Sequence, residues 1–289
     1  MCVKACHGPG CVPSGSIPMN FQKIPPSAPL QHVVDCYWVL YDDEADPAAP
    51  RQQAVLPSPL QSVSVVCRQS CSLTAHDGVQ LHQLAEGALL LFPGNRRVSL
   101  CYQAPVRIFG VAFRPCGFYQ LFGAALLATT DETRRPDGSP WRFGQELKRC
   151  VLAATDARQC VAGAEDLLLA GLESRAPQLP VIGAIVAHVL ERHGQVSVDE
   201  MAHHANLSRR QLERRFGEAV GVPPKMFAEI SRFAHVVGLL HEQREANWQD
   251  LTHACGFFDQ AHFIREFRRF AGEAPGSYFH REPMAHLLF

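Results

Sequence analysis

Residues 208–221 and 259–272 are two versions of one text, and this repeat constrains the fold more than any other feature of the chain. The first reads SRRQLERRFGEAVG and the second DQAHFIREFRRFAG. Ser208 meets Asp259, Leu212 meets Phe263, Arg214 meets Arg265, Phe216 meets Phe267 and Gly221 meets Gly272. Each copy runs on into proline and an aromatic, VPPKMF after the first and EAPGSYF after the second. Each is preceded by a short helical pattern, SVDEMAHHA or NWQDLTHAC. The offset is 50 residues upstream of the turn and 51 downstream, so the second turn is one residue longer. A duplicated helix–turn–helix unit is the economical reading.

Helical phasing at about 100° per residue gives each second helix two faces. In the second copy Phe263, Ile264, Phe267 and Phe270 fall on one arc, as a core-facing stripe requires. His262, Arg265 and Arg269 collect opposite, with Gln260 at the start. In the first copy the outward arc holds Arg210, Gln211, Arg214 and Arg215, with Arg209 at the start. Asp259 is the expected N-cap of the second helix and Gly272 its stop. A charged face is often simply solvated. Here, however, both copies keep an arginine at the same outward position, which solvation does not demand. In a helix–turn–helix unit the second helix lies in the major groove, where arginine grips guanine edges or phosphates and Gln and His read base edges. These nine residues are therefore the candidate DNA-binding set: Arg209, Arg210, Gln211, Arg214 and Arg215 in one helix, and Gln260, His262, Arg265 and Arg269 in the other. The expected partner is double-stranded DNA.

The strings MAHHANLSRRQLERRF, GVPPKMF and ACGFFDQAHFIREFRRFAGEAPGSYF resemble the DNA-binding domain of AraC/XylS-type transcriptional regulators. The resemblance spans about Val181 to Pro283. It implies an all-α domain of seven helices in which one long helix joins two helix–turn–helix units. Residues 224–242 fit the joining helix, with Phe227, Ile230, Ala234, Val237 and Leu240 on one face. Thr252 departs from the small alanine more usual beside that turn. The resemblance also implies a transcription regulator, an activator in the expected case. RNA polymerase, a small-molecule effector and a second copy of the chain stand as open partners.

Charge adds a restriction. Residues 178–289 hold 12 Lys and Arg against 13 Asp and Glu, whereas a nucleic-acid binder is expected to be basic. Positive charge is therefore local, in the clusters Arg209, Arg210, Arg214, Arg215 and Arg265, Arg268, Arg269. No run of about eighteen apolar residues occurs, so no transmembrane helix and no membrane partner are expected. The first residues lack the apolar centre of a signal peptide. A cytoplasmic location follows, and with it reduced thiols for the 11 cysteines.

The front half reads as an α+β unit. Residues 1–20 form a flexible leader rich in Gly, Pro, Ser and Cys. Their Cys2, Cys6, His7 and Cys11 lack the paired spacing of a zinc site, and no metal or cofactor is expected. HVVDCYWVL, QSVSVVC, GALLLF, RVSLCY and VRIFGVAF are short β-type runs. They predict an antiparallel barrel or sandwich between 21 and about 115. The pattern turns helical from 116 to 174, so 21–174 is one β-rich sensory or dimerisation domain with a helical end. SRAPQLP marks a linker, placed at 175–180, before the DNA-binding domain at 181–283. FQKIPPSAPLQHVVDCYWVL and FGVAFRPCGFYQLFG are similar to the sensory domains of one branch of AraC-type regulators, which implies no particular ligand. Tyr37 and Trp38 are expected in the core. His76, Asp77 and His82 are placed in a loop as surface polar residues. Cys67 and Cys71 are a conceivable redox pair, better read as packing residues. Arg107 and Arg114 flank and follow the last strand, and either one lines a cavity as an anion holder or is a surface charge.

No G-x-S-x-G, Walker loop or H-E-x-x-H appears, and the chain is expected not to be an enzyme. The alternative is a DNA-repair or cysteine-chemistry enzyme carrying an AraC-type module. That would want a Pro-Cys-His nucleophile motif, and Pro115–Cys116–Gly117 lacks the histidine.

Overall fold

A computed structural model of the chain describes residues 20–43, 51–68, 71–75, 80–123 (less 93, 96 and 104), 139–173, 180–242, 252 and 254–280. The leader falls outside these residues, except that Asn20 begins the first strand. The linker does too, except that Pro180 begins a helix.

Nine strands form two antiparallel sheets. The first sheet has the order β1 (Asn20–Ile24), β2 (Val34–Asp42), β9 (Val106–Phe113), β4 (Gln61–Arg68), β7 (Leu89–Phe92). The second has the order β3 (Arg51–Val55), β8 (Val98–Tyr102), β5 (Cys71–Ala75), β6 (Gln80–Leu84). The architecture is a sandwich. Side chains alternate along each strand, so neighbouring residues serve opposite faces. Trp38, Leu40, Val66 and Ile108 pack inward against Val55, Leu84, Val98 and Leu100 of the second sheet. Tyr37, Val39, Val65, Phe109, Val111 and Phe113 point to the other face. There three helices cover them: α1 (Gly117–Phe122), α2 (Ser139–Ala153) and α3 (Ala157–Glu173). With both faces of β9 buried, VRIFGVAF is apolar almost throughout rather than alternating. Gly110 in its middle lies against the Trp38 indole, where an added Cβ would come within 2.1 Å of a ring carbon.

One expectation from sequence needs correction. His82 is not in a loop: it lies in β6, opposite Leu73 of β5, while His76 and Asp77 lie outside the described residues. Cys67 and Cys71 are packing residues and serve different cores. Cys67 packs against the helix-covered cluster and Cys71 belongs to the one between the sheets. Burial pushes both thiols up to about 12, so neither is a ready thiolate.

The C-terminal part is helical: α4 (Pro180–Glu191), α5 (Val198–His204), α6 (Arg209–Val220), α7 (Pro224–Glu242), α8 (Gln260–Ala271) and α9 (Pro275–His280). These are six of the seven helices that the resemblance implies. Most of NWQDLTHAC falls outside the described residues, although Thr252 and Ala254 are helical and Thr252 is buried. The joining helix α7 has the bounds expected from sequence. Phe227, Ile230, Val237 and Leu240 are buried as expected, Ala234 is only half-buried, and Phe233 and Val236 add to the stripe. One end of α7 packs with Ile182, Met201, Leu212 and Phe216. The other packs with Phe257, Phe263, Phe267 and Phe270. The joining helix is thus the shared wall of two small cores. The front half reaches into each, through Cys116 in one and Leu56 in the other.

Candidate nucleic-acid interface

The repeat seen in sequence is a repeat in space. Leu207 N–H donates to the Ala202 carbonyl at 2.9 Å, and Phe257 N–H donates to the Thr252 carbonyl at 3.0 Å, fifty residues on. Asn206 and Gly256 both turn the chain with positive φ, 51° and 69°. Ser208 caps α6, its side chain accepting from the Gln211 N–H, and Asp259 caps α8, accepting from the His262 N–H. Both helices stop at a left-handed glycine, Gly221 at φ 82° and Gly272 at φ 80°. Leu212 and Phe216 in one, and Phe263 and Phe267 in the other, are buried.

The register also locates the extra residue of the second turn. Leu207 aligns with Phe257 and Ser208 with Asp259, so Phe258 has no counterpart. Its side chain is 88 % exposed, beside the start of α8. The change of offset from 50 to 51 is therefore the insertion of Phe258.

The outward residues differ in how free they are. Arg209 pairs with Glu213 at 3.5 Å and Asp199 at 3.8 Å. Arg214 pairs with Glu218 at 2.9 Å. Arg269 pairs with Glu229 at 3.0 Å and lies over the Phe270 ring. The Arg209 and Arg214 pairs are exposed and worth about 0.2–1 kcal/mol each, whereas Glu229 is largely buried beneath Arg269. Arg210, Arg215 and Arg265 are exposed and have no ion-pair partner among the described residues. Gln260 and Ala261 stand exposed at the start of α8. Two members of the set are more committed than sequence suggested. The Gln211 side-chain oxygen closes a capping box with Ser208 at 3.0 Å, leaving only its amide hydrogens for other partners. His262 is half-buried, its ring against Phe257, with Nε2 at 3.6 Å from Glu266. Glu266 itself is a surprise within a basic helix. It is buried and accepts two hydrogen bonds from Arg232 of α7, from Nε and Nη2, each at 3.0 Å.

The opposite ends of the two helices share a second feature. The last carbonyl of α6, Val220, accepts from Gln61 Nε2 of β4 at 2.7 Å. The last carbonyl of α8, Ala271, accepts from Arg97 Nη1, just before β8, at 2.6 Å. Val220 and Ala271 are equivalent under the repeat. Both helix ends, whose final carbonyls lack intrahelical partners, are therefore capped by side chains of the front domain.

The remaining features named from sequence resolve simply. Arg114 pairs with Asp35 at 3.4 Å and donates to the Gln31 carbonyl, a surface arrangement. Arg107 does line a cavity, described below. Cys116 is buried, and that burial pushes its thiol up to about 12. No group of three His, Cys, Asp or Glu with metal-holding geometry occurs among the described residues. No helix among them is long and apolar enough to cross a membrane.

Paired helix–turn–helix units on a shared joining helix define a double-unit DNA-binding domain. Comparison with known proteins is specific on this point. Residues 201–281 match a family described as "Helix-turn-helix domain", of the AraC type, and residues 22–134 match a "Domain of unknown function (DUF6597)". Residues 201–281 are thus a helix–turn–helix domain similar to those of AraC-type regulators. Among similar proteins is the HTH-type transcriptional activator RhaS of Pectobacterium carotovorum, 26% identical over 153 residues, covering 47% of this chain and 54% of that one. The HTH-type transcriptional regulator GbdR of Pseudomonas aeruginosa is 31% identical over 104 residues, covering 36% of this chain and 28% of that one. The chain thus spans about half or less of the curated relatives it matches. Of solved structures, ToxT from Vibrio cholerae O395 aligns with a TM-score of 0.46 at 12% identity, covering 91% of this chain and 98% of that one.

Proposed function

We propose that this protein is a sequence-specific regulator of transcription that lays α6 and α8 in successive major grooves of double-stranded DNA, under the control of a signal sensed by its front domain. The observation that carries the reading is the repeat itself: two helices with equivalent caps, equivalent buried aromatic or aliphatic stripes and equivalent outward arginines. Sequence reading then follows from which arginines are unengaged. Arg210 and Arg215 in the first helix, and Arg265 with Gln260 in the second, are the base or phosphate contacts. Arg209, Arg214 and Arg269 exchange their carboxylate partners for phosphates. Gln211 contributes its amide hydrogens and His262 a positioned ring. We assign the DNA-binding unit to 181–283, the sensing unit to 21–174 and the cytoplasm as the compartment. RNA polymerase and a second copy are its expected partners.

One chain with two units in head-to-tail order should select two boxes in direct orientation, about 10 base pairs apart centre to centre. Selection from random duplexes with the full chain tests this; a pool that stays unenriched would sink the reading. On the selected site, Arg210→Ala and Arg265→Ala should each weaken binding by about 1–3 kcal/mol for a lost bidentate base contact. Both variants should melt like wild type, because both side chains are exposed. The Arg210 effect should map to one box and the Arg265 effect to the other. Uniform loss across all sequences would make them phosphate contacts instead.

A further inference from the structure

The front domain holds a cavity of about 550 Å³, within the range of small-molecule sites. It does not lie between the two sheets, where side chains fill the space. It lies on the other face of the first sheet, between β2, β4 and β9 and the turn that joins α2 to α3. Val39, Phe109, Val151 and Leu152 give it an apolar side. The charged groups around it can be accounted for one by one. Arg68 and Asp43 face each other at 3.9 Å, both well exposed. The Asp156 carboxylate accepts the Gln159 N–H at the start of α3. Glu86 is exposed at the rim. Cys67 and Cys160 border the cavity, and burial raises both thiols, so they stay neutral and supply no anion. What remains is Arg107, a half-buried guanidinium from β9 with no hydrogen-bond or ion-pair partner among the described residues.

A cation withdrawn from water without a counter-charge is costly, and a planar guanidinium is matched by a planar carboxylate. A dianion would meet Asp43, Glu86 and Asp156 with only one unengaged cation to hold it. An uncharged apolar ligand would leave Arg107 unanswered. We propose that this cavity binds a small monocarboxylate, its carboxylate paired with Arg107 and its apolar body laid on Val39, Phe109, Val151 and Leu152. This deepens the sensing role given to the front domain, but binding can be tested without DNA.

The test is thermal unfolding of the full chain with hydrocinnamate and octanoate, each set beside its own primary amide. At saturation at least one of the acids should raise the melting temperature by several degrees, because a ligand that binds only the folded state stabilises it. Its amide, of the same shape without the charge, should not. Arg107→Met should abolish the shift, whereas Arg68→Met should keep it. If Arg107→Met does not fold, Leu152→Glu serves instead. Its side chain is 43 % exposed, so the fold should persist while a new carboxylate repels the ligand. Equal shifts from acid and amide, a shift that survives Arg107→Met or Leu152→Glu, or no shift from either acid would each overturn the proposal. An acid that binds through Arg107 yet leaves affinity for the selected DNA unchanged would uphold the site and refute the sensing role.

Discussion

Phe267→Ala should cost about 3–5 kcal/mol, the usual loss for a buried aromatic cut to a methyl group. Phe267 is 1 % exposed and sits at the centre of the second small core. Its ring lies 5.4 Å from Phe233 of α7, 5.4 Å from Tyr278 of α9 and 5.9 Å from Phe263. Three helices thus meet on one side chain. A domain of this size has only about 5–15 kcal/mol to lose. The variant should unfold near physiological temperature, and DNA binding should go with the fold rather than with any contact. Phe216→Ala, at the equivalent place in the first core, should behave alike, since Phe216 is fully buried and meets Phe227 edge-on at 5.4 Å. Urea unfolding followed by circular dichroism reads both. A loss below about 1 kcal/mol at Phe267 would mean that the repeat register is wrong.

Glu266→Ala should be nearly as damaging, about 3–5 kcal/mol, for a different reason. Its carboxylate and the Arg232 guanidinium are bound to each other at two points, with side chains only 7 % and 16 % exposed. Arg232 also lies over the Phe257 ring at 4.8 Å. Removing the carboxylate leaves a guanidinium shut away from water with nothing to answer its charge. The double variant Arg232→Met, Glu266→Leu removes both charges and keeps the volume, so it should regain most of the loss. Denaturant titrations of the two single variants and the double variant give the coupling directly. If the double variant is as unstable as Glu266→Ala, packing and not charge holds the pair in place. This pair ties the joining helix to the second recognition helix, so the double variant also asks whether a charged link is needed to aim that helix.

The repeat, its caps and its buried stripes were legible because helical periodicity is local: seven residues decide which side is greasy. The burial of Glu266 was not, because its partner lies 34 residues away and an isolated glutamate among arginines reads as one more surface charge. Gln211 likewise looked like a base reader, and only the capping geometry of Ser208 shows its oxygen in use. In the front half, β2 and β9 announced themselves through apolar runs buried on both faces, and β4 through the alternation of Val63 and Val65 with polar neighbours. RQQAV and QLHQL did not, since β3 and β6 carry polar residues. The separation of Cys67 from Cys71 follows from which core each residue joins, which spacing alone does not reveal. The same is true of the choice between Arg107 and Arg114.

The capping of Val220 and Ala271 by Gln61 and Arg97 gives the two recognition helices the mechanics of levers. In the proposed docking their first two turns meet the DNA, and the front domain grips their last turns. Each helix has 12 residues and is therefore about 18 Å long, so a tilt of about 10° at the gripped end moves the other by about 3 Å, enough to break a hydrogen bond. The strand that carries Gln61 at one end carries Cys67 and Arg68, which line the cavity, at the other. A small displacement of one strand would thus be magnified at the DNA surface, without either recognition helix changing its own shape.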